Sequence, residues 1–144
     1  MNAVQDNAAD GQPQEDEGAL VALDLRALTR FQEDGPSVRI LADTGAARVV
    51  LFAFKAGQIL KSHTTSSQIL VQVVRGQITF TAGQHSTEGR VGTLFALEAR
   101  VPHGITARTN AVVLVTMTPS PAQHSLEAEV FSGQTPIVVR HAHE

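Results

Sequence analysis

Two histidines occupy the positions at which this sequence is best placed to do chemistry. His63 follows Gly57 after five intervening residues, and His103 lies eleven positions after Gly92. Both lie in strand-like sequence that begins at a glycine-marked turn, so an antiparallel sheet can bring the two side chains together. Imidazole binds divalent metals and exchanges protons near neutral pH. The pair therefore indicates a metal site or a metal-free site for an anion or polar ligand. The alternative is two histidines that only fill space.

The other four histidines are weaker candidates. His85 lies in a short strand close to a turn, where we expect it to be exposed, and His124 follows an irregular segment that contains two prolines. His141 and His143 resemble a chelating pair, but the chain end offers them no third ligand in a fixed geometry. We predict no functional site at these four positions.

The composition excludes several classes of protein and site. The 144 residues include no cysteine, which excludes disulfides, thiolate catalysis and Cys-ligated zinc or iron–sulfur centres. The net charge of −3 argues against a nucleic-acid surface. Apolar runs such as Ala111–Val115 are too short to span a bilayer, and the N-terminus lacks a signal-peptide pattern. We therefore expect a soluble, cytoplasmic protein with neither nucleic acid nor membrane as a partner.

Short strands separated by turns must position the two histidines. From Ser37 onward, β-branched and aromatic runs alternate with clusters of glycine, asparagine and aspartate, which predicts an all-β fold with almost no helix. So many short strands at close spacing indicate a closed antiparallel barrel or jelly roll. The predicted strands are Val38–Leu41, Arg48–Phe54, Ile59–His63, Gln68–Arg75, Gln77–Ala82, Gln84–Glu88, Thr93–Leu97, Gly104–Thr109 and Ala111–Thr118.

The two ends of the chain differ from this barrel sequence, which we place at residues 37–118. Residues 1–18 hold five of the 14 acidic side chains and no Lys or Arg, which predicts a disordered acidic tail. Residues 19–36 form an arm with a short helix, in which Asp24 is the N-cap and Leu25, Leu28 and Phe31 share one face. Residues 119–144 form a C-terminal arm with strand-like runs at Leu126–Phe131 and Ile137–Val139.

The segment GQILKSHTTSSQILVQVVRG resembles the first motif of the cupin family. That motif reads glycine, five residues, His-x-His, three or four residues, Glu, six residues and glycine. Here Gly57, His63 and Gly76 match both type and spacing. Thr65 stands at the second histidine position and Ile69 at the glutamate position. The first motif therefore keeps the family spacing but has lost two of its three metal ligands.

The segment GTLFALEARVPHGITA resembles the second motif of the same family. That motif reads glycine, five residues, Pro-x-Gly, two residues, His, three residues and Asn. Gly92 and His103 hold the glycine and histidine positions. Glu98, Arg100 and Ala107 replace the Pro, Gly and Asn. Two half-motifs at the right separation extend the resemblance over about residues 38–118.

The resemblance implies a cupin-type double-stranded β-helix, which is a jelly-roll barrel with both histidines at its mouth. It does not imply one reaction, because this fold hosts isomerases, dioxygenases, decarboxylases, sugar sensors and storage proteins. In metal-binding cupins, three histidines and one glutamate hold a divalent Fe, Mn, Ni, Zn or Cu ion. Only His63 and His103 remain here, so such a metal would be weakly held. Glu98 could replace the lost acid, but we favour an exposed rim pair with Arg100.

The strand that begins at Gln68 predicts an apolar lumen beside the histidines. Its alternation places Gln68 and Gln72 on one face, and the opposite face continues from the position of the lost glutamate. Ile69, Val71 and Val73 lie on that opposite face. An apolar lumen suits a small, mostly apolar ligand with one polar group. The predicted ligand pocket consists of His63, Thr65, Ile69, Val71 and His103.

Three functions remain open from the residues alone. The first is a small cupin that binds a small molecule in the barrel mouth, with or without a weakly held divalent metal. The second is a metal-dependent oxygenase or isomerase with a reduced site of His63 and His103. The third is a non-catalytic structural or adaptor barrel. Whether the protein is an enzyme is not decided by the sequence.

The apolar outer faces of two strands predict a homodimer. In Arg48–Phe54 and Ala111–Thr118 both alternate sets are apolar, so one set fills the barrel and the other would be exposed on a monomer. A two-fold interface is the commonest way to cover such a face. The alternative cover is intramolecular, by the N-terminal helix or by Ile137–Val139. Light scattering at micromolar concentration should give the mass of two chains; the 15.3 kDa mass of one chain would contradict the dimer.

Overall fold

The computed structural model describes residues 20–121 and 134–140 together with the backbone of residues 14 and 15. The predicted acidic tail (except that backbone), the strand Leu126–Phe131, His124, His141 and His143 lie outside the described residues. The described elements are β1 (Gln14–Glu15), α1 (Leu25–Leu28), β2 (Ser37–Asp43), β3 (Arg48–Phe54), β4 (Ile59–His63), β5 (Gln68–Arg75), β6 (Gln77–Ala82), β7 (His85–Arg90), β8 (Leu94–Leu97), β9 (His103–Ala107), β10 (Ala111–Thr118) and β11 (Val138–Val139).

The strands form two sheets that face each other across one core. The seven-stranded sheet has the order β1-β11-β2-β3-β10-β5-β8, and the four-stranded sheet has the order β4-β9-β6-β7. The all-β jelly-roll prediction is confirmed, and β3, β4, β5, β6 and β10 have the predicted bounds. β2, β7, β8, β9 and β11 shift by one to two residues at their ends, where turn residues join or leave the ladder. β1 was not predicted, because its residues lie within the predicted acidic tail. Among the described residues, no helix is long and apolar enough to cross a membrane.

The core between the sheets follows the period-two alternation of the strands. In β5 the side chains of Ile69, Val71 and Val73 are buried, while Gln68 and Gln72 are exposed. This confirms the predicted apolar lumen. The buried cluster also includes Ile40, Val50, Phe52, Phe54, Ile78, Phe80, Ile105, Ala107, Ala111, Val113, Val115 and Met117.

A second buried cluster lies on the outer side of the seven-stranded sheet. It consists of Leu28, Leu41, Leu51, Ala53, Val112, Ile137 and Val138. The N-terminal arm and the C-terminal segment of the same chain therefore cover much of the face from which the sequence predicts a dimer. The dimer stays a prediction. Part of β5 and β8 remains uncovered, since Leu70, Val74 and Leu94 are 44%, 38% and 56% exposed.

Hydrogen bonds order the helix of the N-terminal arm and attach the C-terminal segment to the sheet. Asp24 caps α1 as predicted, because its carboxylate accepts from the backbone N–H of Arg26 at 3.0 Å. The backbone N–H of Ile137 donates to the carbonyl of Ile40 at 3.1 Å. The amide of Gln134 donates to the carbonyl of Val38 at 2.8 Å. The C-terminal segment is thus attached along β2 before β11 begins.

The hairpin between β5 and β6 requires glycine for two separate reasons. Gly76 has a φ of 76°, which is in the left-handed region. A Cβ at this position would lie 2.1 Å from the carbonyl oxygen of Asn110. Gly83, at the next hairpin, has a φ of 59°, but a Cβ added there would have open space within 4 Å. Only the backbone conformation therefore constrains Gly83.

We expect Gly76→Ala to destabilise the protein more than Gly83→Ala. Both substitutions strain a left-handed residue, so the difference isolates the collision with the backbone at Asn110. That difference should be roughly 1–3 kcal/mol, the usual range for an overpacked site. Urea denaturation of the two variants measures it. Equal losses would show that the β5–β6 hairpin shifts to accept the methyl group.

Candidate functional site

The cross-strand register of β4 and β9 brings the two histidines together. His63 is the last residue of β4 and pairs with His103, the first residue of β9. Their ring centroids lie 4.5 Å apart with a tilt of 54°. The two half-motifs of the sequence therefore meet at one end of the barrel.

Both imidazoles are oriented by the same local hydrogen bond. The Nδ1 atom of His63 lies 2.8 Å from the carbonyl oxygen of Lys61, and that of His103 lies 2.8 Å from the carbonyl oxygen of Val101. A carbonyl oxygen only accepts, so each Nδ1 carries the hydrogen and donates it. In the neutral ring the lone pair is then on Nε2. His103 consequently offers an acceptor at Nε2.

Burial keeps His103 in that neutral form. The residue is only 5% exposed, and desolvation lowers its pKa below the ordinary value of 6.5. The hydrogen bond to Val101 raises the pKa, while the neighbouring charge of His63 lowers it further. The balance is a lowered pKa, so the ring is an uncharged acceptor at neutral pH.

Phe80 packs beside His103, although neither family motif includes it. Its ring centroid lies 6.2 Å from that of His103, with an interplanar angle of 24°. Phe80 also stacks on Phe95, with the two ring centroids 4.6 Å apart. Gly89 makes room for this pair, because a Cβ there would come within 2.8 Å of the Phe95 ring. The signal in the sequence was the alternation of β6, which places Phe80 on the lumen side.

Thr65 connects the two half-motifs through the backbone. Its side chain is buried, and Oγ1 accepts from the backbone N–H of Ser67 at 3.1 Å. Its carbonyl accepts from the backbone N–H of Arg100 at 2.8 Å. Arg100 has a φ of 71°, so it keeps a left-handed conformation at the family's glycine position.

The barrel mouth contains a cavity that all five predicted pocket residues line. Its volume is about 20 Å³, which holds one water or one ligand group of that size. The binding of a ligand there remains a prediction. The lining consists of His63, Thr65, Ile69, Val71 and His103 together with Phe52, Leu60, Phe80, Ile105, Val115 and Met117.

The side chains at the mouth do not fit the four-ligand metal centre of the family. Within residues 20–121 and 134–140, no three His, Asp or Glu side chains lie close enough to hold one ion. Thr65 Oγ1 already accepts a hydrogen bond, and Ile69 has no donor atom. Two imidazoles alone form a weak and open site.

The predicted rim pair between Glu98 and Arg100 is wrong. Glu98 and Arg100 are both exposed, but no ion pair joins these two described residues. An ion pair between exposed side chains gains little over their separate hydration.

His85 is exposed as predicted, and its place in the sheet adds one observation. Ala82 pairs with both His85 and His103, so these two histidines share one row of the four-stranded sheet. His85 belongs to β7 at the edge of that sheet, and it is not among the residues that line the mouth cavity.

Comparison with solved structures identifies the family. An RmlC-like cupin from Desulfovibrio desulfuricans is 28% identical with a TM-score of 0.60, covering 63% of this chain and 89% of that one. A cupin superfamily protein from Desulfitobacterium hafniense is 18% identical with a TM-score of 0.64, covering 76% and 96%. The chain belongs to the cupin superfamily. This confirms the resemblance and the double-stranded β-helix fold.

The comparisons do not select a reaction for this cupin. No family model matches the sequence, and no curated protein matches it. The similar structures include proteins of unestablished function as well as enzymes. One enzyme is a salicylate 1,2-dioxygenase variant from Pseudoaminobacter salicylatoxidans, 16% identical with a TM-score of 0.56, covering 58% of this chain and 26% of that one. The fold alone therefore leaves the activity open.

We expect the cupin to lose stability as the pH falls below about 6.5. The pKa of His103 is lower in the folded state than in the unfolded chain, so the unfolded chain binds more protons in that window. The stabilisation is present above the unfolded pKa and is lost as the pH falls through the folded pKa. Melting temperatures between about pH 7.5 and 5.5 measure the slope of stability against pH.

The variant His103→Asn provides the comparison for this pH dependence. The Asn side-chain amide keeps a hydrogen-bond donor near the position of Nδ1 but does not titrate. The slope should therefore be smaller in His103→Asn and unchanged in His85→Asn, where the exposed histidine is replaced. An identical slope in all three proteins would contradict the assignment to His103.

Proposed function

We propose that this cupin binds a small organic molecule at its mouth through a hydrogen-bond donor, and that it does so without a tightly held metal. The observation that carries the proposal is the pair of carbonyl-oriented imidazoles in an apolar cavity. The Nδ1–H of each ring is used by a backbone carbonyl, so His103 acts as an acceptor through Nε2. Ile69 occupies the position at which the family places a carboxylate.

The size of the cavity restricts how such a ligand enters. A volume of about 20 Å³ admits a hydroxyl group but not an aromatic ring or a sugar. The ligand therefore inserts one polar group beside the ring of His103 and leaves its apolar body at the rim. A hydroxyl that donates to an uncharged imidazole in an apolar lumen forms a stronger hydrogen bond than the same pair in water.

The same site is poorly suited to a negatively charged group. An anion gains from charged or N–H donors, whereas a neutral Nε2 only accepts. Protonating His103 to create a donor is opposed by its burial, which lowers the pKa. The chemical class that fits the mouth is thus a neutral hydroxyl compound, such as a phenol, an enol or an alcohol.

Phenol and anisole provide a matched pair of probes for this function. Phenol donates a hydrogen bond and anisole, of nearly the same shape, does not. We expect phenol to raise the melting temperature of metal-free protein by about 2–4 °C for each kcal/mol of binding, and anisole to have little effect. The effect of phenol should be absent in His103→Asn and retained in His85→Asn.

Two results would overturn this proposal. Equal stabilisation by phenol and anisole would show that apolar contact alone drives binding. Stabilisation by divalent metals only would favour the alternative, a metal-dependent oxygenase or isomerase with a reduced His63 and His103 site. Elemental analysis of protein purified without an affinity tag separates these functions, because the proposal requires less than about one-tenth equivalent of any first-row metal.

A further inference from the structure

A larger depression lies on the outside of the barrel, far from the chemistry of the mouth. It is a groove of about 420 Å³ between the N-terminal arm and the outer side of β5 and β10. This volume is within the range of small-molecule pockets, whereas the mouth cavity of about 20 Å³ is far below it. The groove is lined by Leu25, Arg26, Thr29, Val74, Arg75 and Val112.

A β-bulge in β5 turns Arg75 toward this groove. Val112 pairs with Arg75 and Val113 pairs with Val73, so Val74 is an extra residue in β5. Without the bulge, Arg75 would continue the inward set of Ile69, Val71 and Val73. With it, Val74 and Arg75 are both exposed and both line the outer groove. Bulges commonly redirect a side chain in this way beside binding sites.

The floor of the groove is apolar, and its two arginines form no ion pair with any carboxylate that the structure describes. Val112 is buried, Leu25 is partly buried, and Val74 is 38% exposed. Three other cations in the described part of the chain form ion pairs, namely Arg48 with Asp43, Lys55 with Glu33 and Arg108 with Glu88. Among the same described residues, Arg26 and Arg75 form no ion pair. The groove therefore combines apolar contact surface with two arginines that form no ion pair within the described part of the chain.

Arg75 is also positioned for recognition of a carboxylate. Its guanidinium carbon lies 5.2 Å from the centroid of the Phe31 ring. A guanidinium group that packs on an aromatic face still presents its N–H edge to an acceptor. That edge is planar and matches the two oxygens of a carboxylate.

We propose that this groove binds an amphipathic monocarboxylate. Its apolar body lies against Leu25, Val74 and Val112, and its carboxylate is bound by Arg75 with support from the charge of Arg26. The groove is separate from the barrel mouth, so the proposal does not depend on the function proposed for His63 and His103. An alkyl chain suits the open, aliphatic floor, and the charge complementarity selects an anion over a neutral lipid.

Octanoate, used below its micelle concentration with the full-length protein, is the probe for this site. In ¹³C-methyl NMR spectra we expect the methyl groups of Val74 and Val112 to shift on titration. The methyl groups of Val73 and Val113, which neighbour them in sequence but face the core, should not shift. Hexanoate should bind more weakly, by up to about fourfold for each methylene lost from the contact.

Arg75→Met tests the charge while keeping an unbranched side chain beside Phe31. We expect this variant to weaken octanoate binding by about tenfold or more, because a charge-assisted hydrogen bond is lost. Binding of 1-octanol, the uncharged probe, should not change. Arg90→Met is the matched control, since Arg90 is an exposed arginine on β7 of the other sheet.

Two outcomes would overturn the proposal. The first is octanoate that leaves the methyl groups of Val74 and Val112 unshifted; if the protein is then a dimer by light scattering, a second copy of the chain covers the groove instead. The second is equal weakening by Arg75→Met and Arg90→Met, which would indicate attraction to the general positive surface.

Discussion

A sheet whose central strands are apolar on both faces must be covered on both faces, and the rest of this structure depends on that constraint. β3 and β10 pair along their length and direct alternate side chains to opposite sides. The inward set packs against the four-stranded sheet, which closes the barrel and places β4 and β9 across the lumen. The outward set packs under the N-terminal arm and the C-terminal segment. The arm thereby gains a structural role of its own, because it forms one wall of the outer groove.

The apolar lumen also sets the chemistry of the histidine pair. Desolvation lowers the pKa of His103, and the same desolvation makes a divalent cation costly unless a carboxylate balances its charge. Replacing the family's glutamate by Ile69 therefore removes both a ligand and the balancing charge. Each imidazole is oriented by the carbonyl two residues before it, so this orientation does not depend on a fourth family ligand.

The features of the fold that the sequence predicts are those that depend on local periodicity and on turn residues. Alternation indicates the lumen side of β5, and glycine spacing places His63 opposite His103. The cover of the outer face was not predictable, since a second copy, the N-terminal helix and the C-terminal strand all have the required apolar residues. The left-handed conformation of Arg100 was also missed, because only glycine signals that backbone in a sequence. The bulge at Val74 was also missed, although Arg75 falls on the inward set of β5 and a charged side chain there indicates a change of register.

The mouth and the outer groove differ in the polarity of the groups that they offer to a ligand. His103 presents an acceptor in a site that burial keeps uncharged, so a carboxylate gains no hydrogen bond and loses its hydration there. Arg75 presents donors and a permanent charge in a half-open groove, so a neutral hydroxyl compound gains little beyond apolar contact. Under the two proposals, the sites select ligands of opposite hydrogen-bonding character. Because they lie on opposite sides of the same seven-stranded sheet, occupation of one does not sterically exclude occupation of the other.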